Sequence, residues 1–113
     1  MNELKILRKL AEQQQYGQLK EMAESLYQDT DNPAILPLLA SAYAHLGLQA
    51  QSEHYYQQAA DHLLALDYDA RCDLAAVLIV IGRLDDAKSR LTDILIAQPK
   101  HALALARLGY CRE

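Results

Sequence analysis

The sequence predicts an all-α fold of about seven helices, arranged as antiparallel pairs that stack on one another. Three observations predict it. A pattern of apolar and small residues repeats around Gly47 and Gly82. No stretch alternates with period 2 between turn residues, so strand signals are absent. The four glycines and three prolines fall almost entirely where turns are expected.

The repeat is visible by superposition. Leu39, Ala40 and Tyr43 precede Gly47 by eight, seven and four residues, and Leu74, Ala75 and Leu78 precede Gly82 by the same offsets. After Gly82, Ala87, Leu91 and Ile94 follow at five, nine and twelve residues, with Pro99 at seventeen. The matching places after Gly47 hold Ser52, Tyr56 and Ala59. A third start follows in ALALARLGY, Ala102 to Tyr110, where Leu108-Gly109 takes the place of Leu74-Ala75. Such helix pairs cannot bury their apolar faces alone, so they stack.

This skeleton resembles the tetratricopeptide repeat (TPR), whose period is about 34 residues and whose marks are a leucine and a small residue, a glycine turn, an alanine and a closing proline. Arg71 and Leu36 stand where that family prefers tryptophan, and Leu64 stands at the place of Pro99. The resemblance implies a right-handed superhelical stack over residues 1–113. Its parts are a divergent first unit at 1–31, units at 32–67 and 68–101, and a lone capping helix or the start of a further unit at 102–113.

In the first unit, Gly17 suggests the turn between two helices, and the stripe Leu4, Leu7, Leu10, Ala11 fits two registers. An unrelated helical hairpin is the alternative for this segment. Asn32-Pro33 then starts a helix, with a capping side chain before a proline suited to the first turn. Pro37 is expected to delay that helix or to remove one backbone hydrogen bond. Asp67 and Asp69 form a polar link to the next helix. Leu74 to Ile81 reads as a buried helix, apolar on both sides. Asp85-Asp86 opens the following helix, where acidic residues favour the dipole.

Composition narrows the function classes. A net charge of −4 and no basic stripe disfavour nucleic acid and anionic membranes. The longest apolar run, Leu74 to Ile81, has eight residues, against the roughly 20 a span requires. With no signal peptide in view, the expected location is cytoplasmic. Cys72 and Cys111 form no metal pattern and read as small buried thiols. His54, His62 and Asp61 read as a solvated face. No nucleophile motif or phosphate loop is present, so catalysis, cofactor and metal are not expected.

In TPR proteins the first helices of successive units line a concave groove that binds partners. By that resemblance the groove residues here are Leu38, Ser41, Ala44 and His45, then Asp69, Cys72, Asp73, Ala76, Ile79 and Val80, then Leu103, Ala106, Arg107 and Tyr110. Among them are five large apolar or aromatic residues, Leu38, Ile79, Val80, Leu103 and Tyr110. Either the repeats curl and bury this groove, or an amphipathic helix or peptide of another protein fills it. The expected function is a non-catalytic protein-binding module. In length, acidity and layout it resembles the TPR-type chaperones that hold needle subunits in type III secretion. The alternatives are an N-terminal segment of a larger protein or enzyme, and a scaffold that self-associates through its terminal helix.

Overall fold

A computed structural model describes residues 3–111. Among them are seven α-helices and no strand: α1 (Glu3–Glu12), α2 (Tyr16–Thr30), α3 (Ile35–His45), α4 (Gln49–Asp61), α5 (Tyr68–Val80), α6 (Leu84–Ala97) and α7 (Ala102–Cys111). A single 3-10 turn, Leu63–Ala65, lies between α4 and α5. The all-helical class and the number of helices match the sequence expectation.

The turns joining α1 to α2, α3 to α4 and α5 to α6 are built alike. Gly47 N–H donates to the Ala44 carbonyl and Leu48 N–H to that of Tyr43; Gly82 and Arg83 repeat this onto Ile79 and Leu78. Gln14 and Gln15 make the same pair onto Ala11 and Leu10. The matching backbone φ values are 59° at Gln14, 79° at Gly47 and 87° at Gly82. The first turn therefore centres on Gln14, not on Gly17, which is the second residue of α2. A glutamine in the left-handed region costs about 1–2 kcal/mol, which folding tolerates, so the glycine signal vanished while the turn stayed.

With Gln14 as the anchor, the first unit falls into register. Leu7, Ala40 and Ala75 lie seven residues before the three anchors, and all are 0% exposed. Leu19, Ser52 and Ala87 lie five after, and Ala23, Tyr56 and Leu91 nine after, all of them buried. Volumes compensate within each unit. Two leucines go with Ala23, whereas the small pairs Ala40–Ser52 and Ala75–Ala87 go with Tyr56 and Leu91. Close packing at near-constant total volume requires such trades. Ser52 Oγ also donates to the Ala40 carbonyl at 2.8 Å, which satisfies a buried hydroxyl between α3 and α4.

The first helices of successive pairs pack on one another, α1 on α3, α3 on α5 and α5 on α7. α3 also touches α2 and α4, and every residue from Ile35 to Tyr43 is buried. The regular helix begins two residues after Pro33: residues 33–34 are a turn, and Ile35 and Leu36 N–H donate to the Asn32 and Pro33 carbonyls three residues back. Pro37 is the third residue of α3, where no intrahelical partner exists for its missing N–H. Two apolar clusters result, one around Leu7, Leu19 and Leu39, the other around Leu36, Leu74, Leu78 and Leu91. Tyr27 and Tyr55 pack against both. Arg71 ties down the 3-10 turn. Its Nε donates to the Leu63 and Leu66 carbonyls at 3.2 and 3.1 Å. The radius of gyration is 13.0 Å, close to the roughly 13 Å of a compact domain this size, so the stack closes up instead of extending.

Candidate binding site

The first helices bring their matching positions to one face. Arg8, Ser41 and Ala76 each lie six residues before their turn, and Glu12 and His45 each lie two before. All five line a single cavity of about 240 Å³, together with Ala11, Tyr16, Leu38, Asp73, Leu103 and Arg107. An adjoining depression of about 420 Å³ is bordered by Arg8, Asp69, His101, Ala102 and Leu103.

The cavity centres on charge. Asp73 is 6% exposed, an unusual place for a carboxylate. Its Oδ2 accepts from Arg8 Nε at 3.0 Å and its Oδ1 from Arg107 Nη1 at 3.5 Å. Burial pushes the Asp73 carboxyl above its ordinary range, and the two guanidiniums oppose that rise. The three residues come from α5, α1 and α7, so the ionic contact straps three helices together. At the rim, the Tyr16 and His45 rings stack with centroids 3.9 Å apart. His45 Nδ1 lies 2.9 Å from the Ser41 carbonyl and therefore donates to it, which leaves Nε2 as the imidazole's second nitrogen.

His101 holds the start of α7. Its Nδ1 accepts the Ala104 N–H at 3.2 Å and so carries no proton, while Nε2 donates to Asp69 Oδ1 at 2.9 Å. Cys72 Sγ lies 3.9 Å from the same Nδ1. Thiol, imidazole and carboxylate thus stand in sequence from Cys72 through His101 to Asp69. Cys72 is 0% exposed, and burial pushes its thiol up to about 11, far from a reactive thiolate. Among the described residues, no group of three or more His, Cys, Asp or Glu is placed to hold a metal ion.

Of the groove residues named from sequence, the structure gathers Leu38, Ser41, His45, Asp73, Ala76, Leu103 and Arg107 around the cavity. Asp69 borders the adjoining depression. Cys72 lines neither cavity; it is 0% exposed and belongs to the core cluster. Ile79 is half-buried against the same core, whereas Val80 and Tyr110 are exposed beyond the cavity, at 39% and 77%. The cavity therefore combines the apolar residues Leu38 and Leu103 with the charged residues Arg8, Asp73 and Arg107. Arg8, Ala11, Glu12 and Tyr16 were missed, because the Gly17 register hid their equivalence to the later units. The signal that finds them is the Leu7, Leu10, Leu19, Ala23 spacing around Gln14.

No protein-family model matches the chain, and no curated protein or solved structure matches it.

Proposed function

We propose that this protein is a non-catalytic binding module of the tetratricopeptide kind, which grips a segment of another protein on the face formed by α1, α3, α5 and α7. The carrying observation is convergence: equivalent positions from successive repeats, on four separate helices, line one cavity. Small core residues explain how the helices pack, but not why Arg8, His45, Asp73 and Arg107 all turn to one concavity. The cavity holds about 240 Å³ and is walled by side chains, a size suited to single inserted side chains. An extended segment that inserts single side chains fits better than the amphipathic helix expected from sequence.

Ala76→Trp tests the reading. Ala76 is half-buried at the cavity wall, so an indole there fills the space. Peptides selected from a random displayed library on the wild-type protein are expected to lose binding to Ala76→Trp. They should keep binding to Ile96→Asp, whose residue is 76% exposed on α6. Equal binding to the wild type and to folded Ala76→Trp overturns the assignment of the site.

A further inference from the structure

We infer that the concave cavity takes an acidic side chain, Asp or Glu, from an extended segment of the partner protein, with Arg8 and Arg107 as its recognition groups. This rests on the binding role proposed above and specifies what that site accepts.

The argument begins with donors. A guanidinium carries five N–H donors and no acceptor. Asp73 accepts one hydrogen bond from each of Arg8 and Arg107, so most of their donor capacity is unspent on it. Arg8 Nη2 is buried and donates to no acceptor among the described residues. A buried charged donor without an acceptor is unfavourable, and a carboxylate entering beside Asp73 relieves it after a small rotation of the guanidinium. Arg and carboxylate pair in a planar fork, which fixes orientation as well as contact.

Charge points the same way. The floor holds two guanidiniums against one buried carboxylate. Glu12, the other acid on the wall, is exposed, where water screens it. A Lys or Arg anchor meets two like charges there, and an apolar anchor leaves Nη2 without an acceptor. The walls suit the rest of an acidic side chain, because Leu38 and Leu103 flank the floor and can contact its methylenes.

The test uses random peptides displayed on phage, fused at their C-termini so that no free chain end is presented. Selection on the wild-type protein is expected to yield peptides with Asp or Glu at one fixed position. Replacing that residue by Asn or Gln in a synthetic peptide should weaken binding by at least about tenfold. This reading is made on the peptide, so it does not depend on any variant folding. Arg8→Gln should abolish the acidic preference, and Arg8→Lys should retain it at lower affinity. If selected peptides bind at the cavity, as judged by their loss on Ala76→Trp, yet tolerate the amide, the acidic-anchor inference is overturned and the binding role stands. If the library yields no binder at all, the binding role fails and this inference with it.

Discussion

Arg8 on α1 and Asp73 on α5 meet at 3.0 Å although 65 residues separate them in the chain. The contact reaches past α3 and ties the first helix pair to the third. Asp73→Asn leaves two guanidiniums, 30% and 25% exposed, with a weaker partner. It is expected to destabilise by about 1–3 kcal/mol in urea unfolding. A double-mutant cycle with Arg8→Gln should return a coupling of about 1 kcal/mol, between the values of exposed and fully buried pairs. A coupling indistinguishable from zero contradicts the strap.

The turn register predicts that opposite substitutions at two residues both stabilise. Gln14→Gly relieves a left-handed glutamine and should stabilise by about 0.5–1 kcal/mol. Gly17 lies inside α2, and a Cβ there meets nothing within 4 Å. Gly17→Ala should therefore also stabilise, by about 0.5–1 kcal/mol. If Gly17 were the turn residue, the same change would destabilise, and thermal unfolding of the two variants decides between the registers.

Ala87 is 0% exposed where α6 packs on α5. Ala87→Leu should overpack this contact and lower stability by about 1–3 kcal/mol. An unchanged denaturant midpoint contradicts the packing described above.

The Tyr43 hydroxyl donates to Glu24 Oε1, linking α3 to α2. That bond, with burial, pushes the phenol up to about 12 from its ordinary value near 10. A raised folded-state pKa means the contribution is complete below about pH 10 and is lost as pH rises through about 12. The stability difference between the wild type and Tyr43→Phe should hold constant up to about pH 10 and shrink above it. A difference that grows with alkali reverses the assigned sign.

Much of the fold was legible in the sequence, because helix pairs are short-range objects. The Gly47 and Gly82 turns, the small residues Ala40, Ala75 and Ala87, and the apolar run of α5 all report on neighbours within one repeat. The first unit was harder to read. Its turn uses glutamine where the others use glycine, and it exchanges large and small residues between Leu7, Leu19 and Ala23, so composition no longer matched position by position. The site was half legible for the same reason. Positions on α3, α5 and α7 followed from the repeat, but the partner of Asp73 lay in the misregistered unit. The degree of closure was not legible, since no local pattern records that Arg8 spans three helices. Cys72 was misplaced because one helical position separates groove from core, and beside Asp73 it turns inward.

Resonance shifts in solution test the proposed binding face most directly. A peptide selected on the wild-type protein is titrated into the isotope-labelled chain, and backbone and arginine Nε–H resonances are followed. Saturable shifts are expected to concentrate at Arg8, His45, Asp73, Ala76, Leu103 and Arg107, with α4 and the exposed face of α6 unmoved. Shifts concentrated on α4 and α6, with the Arg8 and Arg107 Nε–H signals unchanged at saturation, contradict the proposed binding face.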